Sequence, residues 1–229
     1  MAMESPVFDL WPAPRVPLPR GPHGLPRDVV ERSQRSRLEL ALVDVVADKG
    51  YVAATVGDII AAAGVSRTTF YQQFKDKEDC FLHAYRKGAQ AQLRKVLEAV
   101  ASTTAPLEQV RRNLRAYLAA LVDYPACARV FLLEVVAAGP RALALKDEIE
   151  RRYVELLRGL HRRLRERSPD LPEPPVEVFR AAVAAVEDMV VRRIREGRLA
   201  ELADLEPIAL YVELSLFGLP CPGVLPPPG

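Results

Sequence analysis

Cysteine and histidine are scarce, three of each in 229 residues, and that scarcity removes whole classes of chemistry. Cys80, Cys127 and Cys221 are odd in number and far apart, so they read as cytosolic thiols and not as a disulfide framework. His23, His83 and His161 form no HExxH spacing and no CxxC accompanies them, so neither a metal nor a cofactor is expected. There is no GxSxG and no phosphate-binding glycine loop, since Gly24, Gly50, Gly57 and Gly64 stand singly. Nothing here asks for an enzyme.

Long apolar runs are missing as well. No stretch of about eighteen apolar residues is available to span a bilayer, and prolines interrupt the N-terminus where a signal peptide needs an apolar core. A cytoplasmic protein without a membrane partner is expected. Charge of one sign is also lacking, because 32 Lys and Arg stand against 30 Asp and Glu for a formal +2. Affinity for nucleic acid would have to come from a local basic surface. Between Arg15 and Arg37 there are six arginines and two acids, which supplies one. Strand alternation appears nowhere, so the class is all-α.

What is present centres on Thr55 to Lys77, TVGDIIAAAGVSRTTFYQQFKDK. Val56, Ile59, Ile60 and Ala63 recur at helical spacing, and Thr55 is a suitable N-cap. Gly64 then breaks the helix with the left-handed conformation a sharp turn needs. Ser66 caps a second short helix, Arg67 to Phe74. Two short helices joined by a glycine turn are a helix-turn-helix, whose second helix can lie in a DNA major groove. Val65, Phe70 and Phe74 point inward. Arg67, Thr68, Thr69, Tyr71, Gln72 and Gln73 point away, and their hydrogen-bonding groups suit base edges and phosphates. Lys77 opens the next helix, where its ammonium and the N-terminal amides suit a phosphate.

The run AAAGVSRTTFYQQFKDKEDCF within Val56–Phe81 resembles the DNA-binding segment of the TetR family of one-component bacterial transcription regulators. With the upstream helix, the resemblance spans roughly Arg27 to Tyr85. It implies that Arg67, Thr68, Thr69, Gln72 and Gln73 read bases and that Thr55, Tyr71 and Lys77 hold the DNA backbone. Arg35 and Arg37, ahead of the first helix's apolar face, are further phosphate candidates, although a solvated face has the same pattern. The implied protein is a homodimeric repressor on a palindromic double-stranded operator, released by a small-molecule effector.

Four regions are expected. Residues 1–26 form a proline-rich arm without periodicity, within which Arg15 and Arg20 are either minor-groove contacts or solvated. Residues 27–76 are the helix-turn-helix head of three helices, 77–218 an effector-binding and dimerisation bundle, and 219–229 an irregular proline-rich tail. About nine helices are expected in all. A long helix should run from Lys77 to Ala101, with Gly88 marking either a bend or a tolerated glycine. Ala126–Ala138 reads as one buried helix.

In the family the last two helices make the dimer, which points to Phe179, Val183, Val186, Val190, Ile208, Tyr211 and Val212. A core helix would show the same apolar breadth. Candidate pocket residues are Tyr85, Tyr117, Phe131, Glu134, Tyr153 and Met189, with His161 assigned to a solvated face. Glu134 interrupts the apolar run VFLLEVV, and a buried carboxylate needs a partner: a cationic ligand, an internal arginine, or solvent at a helix edge. Two rival readings remain. One is a redox-responsive regulator acting through Cys80, in the first turn of its helix, or Cys127. The other is a helical ligand-binding or enzymatic protein that no longer binds DNA.

Overall fold

The computed structural model describes residues 26–220. The proline-rich arm with Arg15 and Arg20, and the tail with Cys221, lie outside them. The described residues contain nine α-helices and no strand: α1 Arg27–Lys49, α2 Val56–Ala63, α3 Arg67–Gln73, α4 Lys77–Ala101, α5 Pro106–Asp123, α6 Pro125–Leu133, α7 Pro140–Arg167, α8 Val176–Arg195 and α9 Glu206–Leu216. A 3₁₀ helix, Leu199–Leu205, precedes α9. Among these residues no single helix is long and apolar enough to cross a membrane.

They divide into two compact units. The first takes the chain up to Ala91 together with Ala126–Leu145, and the second takes Gln92–Pro125 together with the chain from Lys146 onward. In the first unit, Leu38, Leu42 and Val46 of α1 join Ile59 of α2, Phe70 of α3, Phe74, and Cys80 and Phe81 of α4 in one core. Aromatic rings extend it: Tyr51 and Phe131 both meet Phe81 edge-on at 5.3 and 5.8 Å, and Tyr85 stacks on Phe131 at 4.8 Å. Glu39 is buried inside this unit and faces the Lys87 ammonium at 3.1 Å. Burial pushes its carboxyl up against the pull of Lys87.

In the second unit α5 packs on the 3₁₀ helix and on α9, and α8 packs on both. Tyr117 of α5 meets Tyr153 of α7 edge-on at 5.7 Å, and the Tyr153 hydroxyl donates to Gln92 at 3.1 Å.

Two expectations are corrected. The helix expected over Ala126–Ala138 ends at Leu133. Residues 134–139 instead form a turn leading through Gly139, at φ +101°, into Pro140 at the start of α7. The residue before a proline is disfavoured in the α region, so the Gly-Pro pair limits the helix from downstream. His161 is buried, not solvated, and its ring lies edge-on to Phe179 and Phe217 at 5.5 and 5.6 Å. α4 runs unbroken through Gly88.

Candidate nucleic-acid interface

The recognition unit is built from caps. Thr55 precedes α2, and its hydroxyl accepts from the Asp58 N–H while the Asp58 carboxylate accepts from the Thr55 N–H at 3.0 Å, a reciprocal capping box. Lys49 completes it with an ion pair to Asp58 at 2.7 Å. The bond from Lys49, followed by those from Thr55, holds the Asp58 carboxyl down at about 2.

At the other end of α2, Gly64 sits at φ +61° and ψ +44°. The Arg37 guanidinium lies across this end, donating to the carbonyls of Ala63 and Gly64. These are terminal carbonyls that α2 itself cannot pair, and a cation there complements the helix dipole. Arg37, expected at a phosphate, is therefore the C-terminal cap of α2 in this state.

A methyl group at Gly64 would stand 3.0 Å from Arg37 Nη2, whereas one at Gly57 would meet only Thr55 Oγ1 at 3.5 Å. The same substitution should thus act with opposite sign at the two sites. Gly64→Ala is expected to destabilise by about 1–2 kcal/mol through left-handed strain, and Gly57→Ala to stabilise by up to about 1 kcal/mol. Urea unfolding of the two variants checks this, and equal shifts of one sign would refute it.

Beyond the turn, the Ser66 hydroxyl accepts from the Thr69 N–H at 3.0 Å and opens α3. Phe70 and Phe74 anchor this helix, both almost wholly buried. Arg67, Thr68, Tyr71 and Gln72 are exposed, and Thr69 and Gln73 are half-buried. The face expected to read bases is therefore open, with two internal ties: the Thr69 hydroxyl meets Ser66 Oγ at 2.9 Å, and Gln73 Oε1 accepts from Arg35 Nε at 2.9 Å. Arg35 and Gln73, assigned separately to phosphate and base, form one surface pair against the Phe74 ring.

Lys77 differs most from its expected engagement. Its ammonium donates to the carbonyls of Tyr51 and Ala54 at 2.6 and 2.7 Å and lies over the Tyr51 ring at 4.2 Å. Burial pushes this ammonium below its ordinary value. An ammonium has three donors, so two of them serve the chain itself. In the first turn of α4 the Asp79 and Cys80 amides are also engaged, donating to Asp76 Oδ1 at 2.7 Å and to the Asp76 carbonyl at 3.2 Å. The Thr55 hydroxyl, the third expected backbone contact, is occupied in its capping box.

The partner of Glu134 is none of the three foreseen. Its Oε2 accepts from the backbone N–H of Tyr51 at 2.8 Å, across 83 residues of sequence. The turn 50–54 is thus held at its N–H by Glu134 and at its carbonyls by Lys77. No local pattern announces either contact.

The other pocket candidates fall in both units: Tyr85 and Phe131 with Glu134 in the first, Tyr117, Tyr153 and Met189 in the second. Of the dimer candidates, Phe179, Val186 and Val190 are buried within their own unit. Val183 and Val212 are half-buried, and Ile208 and Tyr211 are exposed. Cys80 does not suit a redox role. Its side chain is fully buried with Sγ 3.9 Å from the Leu38 carbonyl, and burial pushes the thiol well above its ordinary value, with Glu39 and Asp79 adding to the effect.

The pattern describing the bacterial regulatory proteins of the tetR family matches residues 41–84, the segment that carries α2, α3 and the start of α4. Among known proteins, the HTH-type transcriptional activator FasR of Mycolicibacterium smegmatis is 33% identical over 100 residues, 44% of this chain and 42% of that protein. The HTH-type transcriptional regulator RutR of Escherichia coli is 29% identical over 109 residues, 48% of this chain and 50% of its own. The matched segment thus spans about half the length of these relatives. The fold is shared more widely. The fatty acid degradation regulator FadR of Bacillus halodurans aligns with a TM-score of 0.73 at 22% identity, over 81% of this chain and 96% of its own. FadR of Bacillus subtilis, solved in complex with stearoyl-CoA, aligns at 0.71 and 21% identity, over 78% and 97%. These relatives are regulators of transcription, not enzymes.

Proposed function

We infer, from a head that belongs to the tetR family of bacterial regulatory proteins, that this chain is a DNA-binding transcriptional regulator whose operator affinity answers to a small molecule. The observation carrying this reading is the open polar face of α3, Arg67 to Gln73, presented by a helix with a serine cap and two buried phenylalanines behind it. Arg67, Thr68, Thr69, Gln72 and Gln73 are proposed to read base edges. Tyr71, Arg35 and the remaining donor of Lys77 are proposed to meet phosphates, with Thr55 and Arg37 fixing α2 beneath them. Two subunits related by a two-fold axis would set two such helices about one DNA turn apart on a palindromic site. The surface proposed for that contact narrows to Val183, Ile208, Tyr211 and Val212, the members of the expected set that keep area open. A repressor released by its effector is the regulatory sense proposed, through a population shift between dimers that match and mismatch the groove spacing.

Selection of bound duplexes from a random pool, followed by titration of the winner at two salt concentrations, tests the reading. A palindromic winner is expected. Arg67→Ala should then lose about 1–3 kcal/mol on that site and flatten the base preference at one position in each half. Unchanged affinity and unchanged preference in the variant would remove α3 as the reading element.

A further inference from the structure

Four polar side chains are buried in the second unit: Gln109 and Asn113 on α5, His161 on α7 and Glu213 on α9. Gln109 is satisfied, its amide donating to the Thr103 carbonyl at 2.8 Å and its Oε1 accepting from Arg163 at 3.0 Å. The other three each keep one buried atom with no partner in the protein: Asn113 Oδ1, His161 Nε2 and Glu213 Oε2. Fully buried polar atoms are normally paired, and leaving one unpaired costs free energy. Three in one unit therefore require an explanation.

Asn113 Oδ1 and His161 Nε2 accept hydrogen bonds, and Glu213 Oε2 does so once its carboxyl is ionised. Asn113 offers its carbonyl oxygen. His161 bonds the Phe217 backbone, which assigns its N–H to the Phe217 carbonyl and leaves Nε2 as a bare lone pair. Glu213 offers a carboxyl oxygen, and burial alone pushes this group up to about 8, with no cationic side chain acting on it. Arg165 acts on His161 from nearby and Arg163 is spent on Gln109, so the member of the three that no cation reaches is Glu213.

Side-chain contacts and sequence spacing relate the stretches of helix that carry the three residues. The bond from Arg163 to Gln109, the Tyr117–Tyr153 ring pair and the bond from Arg167 to the Thr104 carbonyl run α5 and α7 antiparallel. This register sets His161 level with the turn of α5 between Gln109 and Asn113. Glu213 stands one helical turn before Phe217, on the same side of α9, and Phe217 receives the His161 ring. Phe179 and Phe217, 5.2 Å apart, both lie against the His161 ring.

We propose that Asn113, His161 and Glu213 form the polar end of the effector site and that the effector is an organic primary ammonium. The three N–H donors of such a head group match the three acceptors in number. Its charge meets the carboxylate of Glu213, and Phe179 and Phe217 offer their faces to the cation. The entering cation stabilises the ionised carboxylate that the empty bundle disfavours. This proposal rests on the chain being a ligand-responsive regulator, and it narrows the class of ligand.

The test is a thermal-shift and calorimetric screen of the full chain against primary alkyl- and arylalkylammonium ions of graded length, each beside its isosteric alcohol, with stearoyl-CoA as a separate arm. At least one amine is expected to raise Tm by roughly 5–10 °C at a hundredfold excess over its Kd, while its alcohol does not. Glu213→Gln, which keeps the shape and removes the charge, should weaken that amine by about 10- to 100-fold and leave the free protein folded. His161→Phe serves as a second variant from another helix and should weaken it as well. No response to any amine, or response to stearoyl-CoA alone, overturns the proposal, as does binding that both variants retain in full. Binding is read without DNA, so failure of the regulator reading stays distinguishable: an amine that binds through Glu213 but leaves affinity for the selected duplex unchanged upholds the site and rejects the regulation.

Discussion

Phe70→Ala is expected to destabilise the first unit by about 3–5 kcal/mol and to abolish duplex binding, although Phe70 faces away from the proposed DNA surface. The side chain is fully buried, with Tyr71 edge-on at 5.3 Å and Phe74 at 5.9 Å. At seven residues, α3 is far below the length at which an isolated helix persists in water. It exists because Phe70 and Phe74 are buried and because Ser66 caps its first turn. A loss of this size is a large share of the stability of an ordinary domain. Phe70→Leu, which refills most of the volume, should cost under about 1.5 kcal/mol and keep binding. Denaturant unfolding and duplex titration of both variants decide the matter. Wild-type affinity in Phe70→Ala would mean that α3 is ordered by something other than this core.

That dependence explains which parts of the molecule were legible in the sequence. The bounds of α2 and α4 were expected as found, and α3 ends one residue early because Phe74 turns extended after the last helical residue. These boundaries are set by groups close together in the chain: Thr55 with Asp58, Ser66 with Thr69, and glycine at the left-handed turn. The all-α class follows from the same local periodicity. Contacts that join distant segments left no comparable trace. Arg37 looked like a phosphate contact or an arginine on a solvated face, and only the packing of α1 against α2 brings it to Gly64. Glu39 sits between leucines of α1, with nothing nearby in the sequence to show that Lys87 would answer it.

Glu134 and His161 show the same limit in opposite directions. An acid inside VFLLEVV suggested a pocket, yet α6 stops one residue before it and its carboxylate serves the backbone of Tyr51. A histidine followed by two arginines suggested solvent. Arg162 and Arg163 are indeed exposed, while His161, on the other side of α7, is buried. One residue along a helix is about a quarter turn, so polar neighbours say little about the side a residue faces. The 3₁₀ helix before α9 carried no signal of its own, for its leucines at 199, 202 and 205 read equally well as part of a longer helix.

Lys77→Ala is expected to cost about 2–4 kcal/mol, because it removes two hydrogen bonds from a charged donor to half-buried carbonyls. The effect should reach DNA by position as well as by charge. The turn at 50–54 ends at Thr55, the cap of α2, so whatever fixes the turn fixes α2 and the α3 packed on it. Glu134 acts on the same turn from its N–H side, and Glu134→Ala should weaken duplex binding although Glu134 is proposed to touch no DNA. Salt titration separates the two contributions. Loss of a phosphate contact lowers the salt slope by about one, as expected for Lys77→Ala if its third donor reaches DNA, whereas Glu134→Ala should leave the slope alone. A double-mutant cycle then asks whether the turn is held as one unit. Two residues bonding opposite sides of one peptide segment should show a coupling of about 0.5–3 kcal/mol. Additivity within about 0.3 kcal/mol would mean that Glu134 and Lys77 hold Tyr51 independently, and that losing either leaves α2 where it was.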